Sequence, residues 1–196
     1  MSARPIHVWF DAETTVRCPN FDRMVEAGVI ITDSDLVELA RYSSLVEPGA
    51  LGRERLAGCP EALAMHTESG LLDALNSEAL PALRDVEREI VALVDAFTDQ
   101  PAVLSGSGVA AFDLQFIRQQ TPQLTSRLEY WTHDIGHLRR EWKRATGTEL
   151  VTANQHKPHR ALIDIDLHLI EARAFREVLT EAGAVVGSTA ALTLAT

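Results

Sequence analysis

The stretch Ile6–Thr15, IHVWFDAETT, decides how the rest of the chain is read. Ile6 to Phe10 is nearly all apolar and rich in the β-favouring residues Ile, Val, Trp and Phe, the composition of a central strand. The run ends in two acids one residue apart, Asp11 and Glu13. Side chains at i and i+2 of a strand point to the same side of a sheet, so both carboxylates face one spot at the strand's end. Like charges held that close repel unless a cation lies between them. The decapeptide therefore points to a divalent metal, and taken alone it fits equally a strand that leads into a polar turn.

The totals narrow the class. A chain of 196 residues, 46% hydrophobic and 23% charged, is long enough for one globular domain with its own core. The longest apolar runs are too short to span a bilayer, and the N-terminus lacks the apolar core of a secretory signal, so no membrane role is expected. Cys18 and Cys59 are too few for a disulfide framework and lack metal-site spacing, which makes a reduced, cytoplasmic setting the expectation. The net charge of −10 argues against a protein that grips long duplex by neutralising phosphates. A nucleic-acid partner of such a chain is short or single-stranded, attracted by metal ions and a few local Arg or Lys residues.

Outward from the decapeptide, Val25–Thr32 and Leu36–Val46 read as two further strands, separated by the turn signal Asp33-Ser34-Asp35. Three strands in series with tight connections predict an antiparallel meander with the acid-bearing strand first. Pro48, Gly49, Gly52, Gly58 and Pro60 break residues 47–77 into loops and short helices. Pro81 then opens a helix on which Leu83, Val86, Ile90, Val94 and Phe97 recur at spacings of three and four. Ala102–Leu104 is a short strand entering the SGSG loop at Ser105–Gly108, and Asp113 starts a helix that Pro122 closes. A strand near Tyr130–Ile135 precedes a helix from His137 to Thr146, whose Arg139, Arg140, Lys143 and Arg144 read as a solvated face. The last helix runs from about Arg160 to Glu181. Residues 183–196 are small, uncharged and unpatterned, so the expected layout is one domain over 1–182 followed by a flexible tail over 183–196. Strands first, then alternating helices and strands, predict an α/β mixed sheet covered by helices.

Asp113 follows a strand and a glycine-bearing loop, from where a carboxylate can reach a neighbouring strand's end; acids at helix starts are also ordinary dipole partners. His159 and Asp164 are five apart, about 140° of rotation on a regular helix, and do not converge if both are helical. With Pro158 holding His159 in the preceding loop, its imidazole can fold back towards Asp164 and take a proton from a metal-bound water. Such a set suits in-line hydrolysis of a phosphodiester with two cations about 4 Å apart. Asp11 would bridge both ions, Glu13 and Asp164 would complete one, Asp113 would hold the other through water, and His159 would be the general base. Asp166, two residues beyond Asp164, faces about 160° away on a regular helix.

The DxE of Asp11 and Glu13, Asp113 in FDLQFI, and the HxxxxD of His159 and Asp164 resemble, in that order, the DEDDh class of 3′→5′ exonucleases. Within it, VWFDAETT, VEAGVIITDSDL, MHTESGLLDAL (Met65–Leu75) and HRALIDI (His159–Ile165) resemble oligoribonuclease in particular. The resemblance covers roughly residues 6–180. It implies an RNase H-like mixed five-stranded sheet, the antiparallel meander first and parallel strands after, flanked by helices. It further implies two Mg²⁺ or Mn²⁺ ions, single-stranded or short RNA or DNA as substrate, release of 5′-mononucleotides, and a homodimer. In that frame His66 lines the substrate path, Tyr130 and Trp131 stack on a base, and Met24, with Phe21 and Arg23, stands where this fold often wedges terminal bases.

Ile163 stands where the final motif of oligoribonucleases has a further Asp, leaving Asp164 as the acid at the required spacing, and three more positions depart from the oligoribonuclease pattern. Val109 stands where those enzymes have Ser, Trp131 where they have Arg, and Gly136 where they have Ser, and these groups cap the 5′ phosphate of a dinucleotide. Val and Gly side chains cannot donate to a phosphate, and Trp offers a stacking surface in place of a charged fork. The main expectation is therefore a general exonuclease on short or single-stranded substrates. The alternatives are a dinucleotide-specialised oligoribonuclease and, in a different class, a non-catalytic nucleic-acid-binding module with the same fold.

Overall fold

The computed structural model describes residues 5–77, 79–152 and 158–194. Its central strand, β1 (His7–Thr14), is buried on both faces, as its near-continuous apolar sequence requires. In chain order there follow β2 (Met24–Thr32), β3 (Glu38–Leu45), α1 (Gly49–Ala57), α2 (Pro60–Glu68), α3 (Leu71–Ser77), α4 (Leu83–Asp95), β4 (Ala102–Gly106), α5 (Asp113–Gln120), α6 (Pro122–Thr125), β5 (Leu128–Asp134), α7 (Ile135–Thr146) and α8 (Ala161–Leu194). The strands form one sheet in the order β3-β2-β1-β4-β5. β1 pairs antiparallel with β2 and parallel with β4, β2 antiparallel with β3, and β4 parallel with β5. This is the expected mixed five-stranded sheet flanked by helices.

Alternation along β1 sorts the two cores. Val8, Phe10 and Ala12 pack with Val86, Ile90 and Val94 of α4 and with Phe116 and Ile117 of α5. Trp9 points the other way, into a cluster with Ile30, Ile135 and the α8 residues Ile165, Leu169 and Ala172. Asp11 and Glu13 continue the Trp9 side, so the acids belong to the face that α8 covers.

One boundary differs from the sequence reading in a way that matters. β1 does not end at the acids: pairing with β2 continues through Asp11 opposite Gly28 and Glu13 opposite Glu26. Main-chain bonding to β2 carries the strand past its polar residues. The acids are therefore held by a central strand rather than by a loop. At the other end of the chain, α8 continues past Gly183 to Leu194, where the sequence reading places a tail. His156 and Lys157, which precede α8 in the chain, lie outside the described residues. Among the described residues no helix is long and apolar enough to cross a membrane.

Candidate active site

Gly28 is what lets α8 reach the acids. It sits opposite Asp11 on β2, and a Cβ placed there would lie 2.8 Å from Ala161 Cβ and 3.0 Å from both Ala161 C and Leu162 N. The first turn of α8 thus rests directly on the sheet backbone, and Asp164, one turn in, comes down beside Glu13. Glu13, His159 and Asp164 each offer a donor atom, and those atoms all lie within 4.8 Å of one another. Two carboxylates and an imidazole at that separation fit a divalent cation.

His159 precedes the helix, as expected, with φ of 52°. A left-handed backbone is unusual for a non-glycine residue and persists only where its surroundings hold it. The two residues that follow it are tied to β2. Arg160 donates from Nε and Nη2 to Glu26 Oε1 (3.1 and 2.9 Å), and Ala161 N–H donates to Glu26 Oε2 (3.1 Å). Pairing with Glu26 raises the Arg160 pKa above its ordinary value.

Asp113 enters from the opposite side of β1 at the start of α5 and is 5% exposed. Its Oδ1 accepts from Ala12 N–H at 3.1 Å, which fixes the carboxylate to the backbone between Asp11 and Glu13. Asp11, Glu13, Asp113, His159 and Asp164 all line one cleft of about 500 Å³, together with Arg17, Cys59, Glu61, Met65 and Ser107. The cleft brings together the five residues that the sequence singles out.

The other substrate candidates lie elsewhere. His66 is fully buried on α2, and its Nε2–H donates to Thr14 O at 2.8 Å. Burial pushes its pKa down, so the neutral ring braces the end of β1 rather than facing substrate; the neighbouring Met65 lines the cleft instead. Met24 is 1% exposed in the core, because an apolar side chain at the start of an internal strand packs between sheet and helices, and it cannot wedge a base. Tyr130 and Trp131 lie on the edge strand β5. Trp131 lines a separate cavity with His7, His133 and Phe175, so neither aromatic lines the acidic cleft.

The sequence reading also missed residues. Arg17 is exposed at the cleft, and it and His159 are the basic side chains among the described residues that line it. Asp134 lies outside this acid set and has another task. Its Oδ1 accepts from Gly108 N–H and Gly136 N–H (both 2.9 Å) and its Oδ2 from Ala110 N–H (3.2 Å). It caps α7 and ties down the loop that carries Ser107 into the cleft. Asp166 faces away from Asp164, as the helical rotation requires, and pairs with Arg41 at 3.1 Å. Of the basic residues on α7, Lys143 and Arg144 make exposed pairs with Glu149 and Glu141, whereas Arg139 forks onto the buried Glu171 and bonds Ser107 Oγ.

No family model matches the chain. The oligoribonuclease of Corynebacterium diphtheriae is 33% identical over 164 residues, 81% of this chain and 75% of that protein. That of Streptomyces avermitilis is 32% identical over 180 residues, 88% of this chain and 86% of that protein. Among solved structures, E. coli exonuclease I in complex with a 5cy-dT13 oligonucleotide superposes with a TM-score of 0.66 at 16% identity, over 89% of this chain. The chain spans 41% of that exonuclease, and the likeness is one of fold. The extent and identity of the bacterial matches, on a chain whose ordered acids converge in one cleft, decide the assignment: this protein belongs to the oligoribonuclease family.

Proposed function

We propose that the protein is a metal-dependent 3′→5′ exonuclease that hydrolyses short or single-stranded RNA or DNA to 5′-mononucleotides. The observation that carries this reading is the convergence of Glu13, His159 and Asp164 within 4.8 Å, in a cleft that Asp11 and Asp113 also line. Two divalent cations, Mg²⁺ or Mn²⁺, held by Asp11, Glu13, Asp113 and Asp164, would supply Lewis-acid stabilisation of the charge that builds on the phosphate. His159 takes the proton of the attacking water, since its imidazole is the titratable base beside that carboxylate set. The Asp113 carboxylate is tied to the β1 backbone by Ala12 N–H. Arg17 at the cleft offers the incoming strand a positive charge amid acids.

Two thiols free of disulfide bonding, Cys18 and Cys59, fit a cytoplasmic setting. The homodimer implied by the family resemblance would show as a doubled mass by light scattering. Turnover of a 5′-labelled oligonucleotide tests the reading. Activity should require Mg²⁺ or Mn²⁺, vanish with chelator, and fall by more than about a hundredfold in Asp11→Asn, which loses a carboxylate that would hold the charge-stabilising cations. Full turnover by Asp11→Asn would refute the assigned roles, and oligonucleotide binding without product under either metal would mark a binding module. A length series from two to twenty nucleotides separates a general trimmer from a dinucleotide specialist.

A further inference from the structure

We propose that Glu26 is a positioning residue for the reaction: through Arg160 and the first amide of α8 it holds His159 in the left-handed conformation that aims the imidazole at Glu13 and Asp164. The inference rests on His159 acting as the base.

Glu26 is a carboxylate that neither the sequence reading nor the chemistry of the cleft accounts for. It is 3% exposed in a strand whose residues are otherwise apolar or small up to Thr32, and a buried charge is retained at a cost unless it is paired. Both of its oxygens are used. Oε1 takes the Arg160 fork, and Oε2 takes a further bond from Arg160 Nε at 3.2 Å together with the Ala161 N–H at 3.1 Å. The last of these satisfies an amide at the helix start that has no intrahelical partner. The bonds of Arg160 and Ala161 to Glu26 thus tie down the chain on the C-terminal side of His159, whose φ is 52°.

The register gives the arrangement its direction. Glu26 lies directly opposite Glu13, and opposed residues of an antiparallel pair project to the same face. Anchoring residue 160 at Glu26 therefore anchors residue 159 next to Glu13, one strand away. Arg160 is near enough to Glu13 for their charges to interact, but its hydrogen bonds go to Glu26, which leaves Glu13 grouped with His159 and Asp164.

The test is a double-mutant cycle with His159. Glu26→Gln keeps the shape and an acceptor oxygen but loses the charge that grips Arg160. It should lower kcat about ten- to a hundredfold, the scale for a sub-ångström to one-ångström misplacement of a catalytic group, with KM within about threefold of wild type. His159→Ala should lower kcat about 10²- to 10⁴-fold. The double variant should be no slower than His159→Ala alone, because a misplaced base and an absent base lose the same interaction. Mn²⁺ binding followed by electron paramagnetic resonance should be within about threefold of wild type in Glu26→Gln, because the Glu26 carboxylate bonds Arg160 and the Ala161 amide. If the two losses multiply, if Glu26→Gln keeps wild-type kcat, or if it loses Mn²⁺ along with activity, the positioning role is wrong. Full turnover by His159→Ala would instead remove the catalytic reading itself. Arg160→Lys, which keeps the charge but not the fork, carries the same expectations should Glu26→Gln fail to fold.

Discussion

Replacing Gly28 with Ala should damage catalysis more than it damages the fold. The added methyl would stand 2.8 Å from Ala161 Cβ and 3.0 Å from two backbone atoms of α8, Ala161 C and Leu162 N. Backbone atoms cannot rotate aside as a side-chain tip can, and ordinary contacts of this kind begin near 3.4 Å, so the first turn of α8 must lift by about 0.6 Å. That turn carries His159 on its N-terminal side and Asp164 within it, whereas Asp11, Glu13 and Asp113 stay with the sheet and α5. The acids would thus be split into two groups moved apart. Overpacking by one methyl costs about 1–3 kcal/mol, which for a domain of this size lowers Tm by roughly 2–12 °C. A displacement approaching an ångström at the reacting groups lowers kcat by up to about a hundredfold. Turnover of a labelled oligonucleotide at saturating Mn²⁺, alongside a thermal melt, reads both effects. Gly183→Ala, where nothing lies within 4 Å, is the control: it should leave kcat unchanged and, within α8, should not lower Tm. A Gly28→Ala enzyme with kcat within threefold of wild type would refute the idea that close approach of α8 sets the site's geometry.

Two other outcomes follow from the charges. Arg17→Ala should raise KM about three- to tenfold at low salt, leave kcat nearly unchanged, and reduce the slope of log KM against log salt by about 0.7, the value for one phosphate contact on a single strand; an unchanged slope would show that Arg17 does not meet a phosphate. For stability, burial chiefly, and the nearby His133 secondarily, push the His7 pKa from 6.5 down to about 4. The unfolded chain then binds more protons between those values, so stability is full above about pH 6.5 and is lost as pH falls towards 4. The loss from pH 7 to pH 5 is at most about 2 kcal/mol, because the ring keeps some contact with water. His7→Gln should flatten this part of a denaturant-derived stability profile, and an unaltered slope would remove His7 as its source.

What the sequence made legible follows from how local each signal is. The helix over Leu83–Asp95 buries Val86, Ile90 and Val94, residues whose spacing alone predicts one face. The position of His159 before α8 was also readable, since Pro158 and a five-residue interval leave few other ways for it to meet Asp164. The extension of β1 through Glu13 was not readable, because it depends on β2 lying alongside to bond the polar end. Gly28 and Glu26 carry no local mark: one reads as an ordinary strand glycine and the other as a polar residue on a strand, until α8 is laid across them from far along the chain. Met24 fails for the opposite reason. An apolar residue after a loop reads the same whether it is exposed to wedge a base or buried at the start of a strand, and only the packed sheet distinguishes the two.

The departures from the oligoribonuclease pattern acquire a physical logic once the loop after β4 is seen. Val109 is fully buried in the core, so the backbone turn at this point is anchored by packing and not by a hydroxyl. At Gly136 a Cβ would meet Asp134 Oδ1 at 3.0 Å, Gly108 N at 3.2 Å and Ser107 Oγ at 3.2 Å. A serine there would press on the carboxylate that gathers Gly108, Ala110 and Gly136, and on the hydroxyl that Arg139 already holds. The glycine therefore accompanies a loop closed on itself by Asp134 and Arg139. Trp131, in turn, faces the cavity of His7 and His133 rather than the acidic cleft. None of the three substituted positions lines the cleft, so none of their side chains can cap a substrate's 5′ phosphate there. That favours trimming of longer single strands, and the length series should accordingly show turnover of ten-mers within about tenfold of dinucleotides, since a missing charged cap removes no more than one or two strong hydrogen bonds of discrimination.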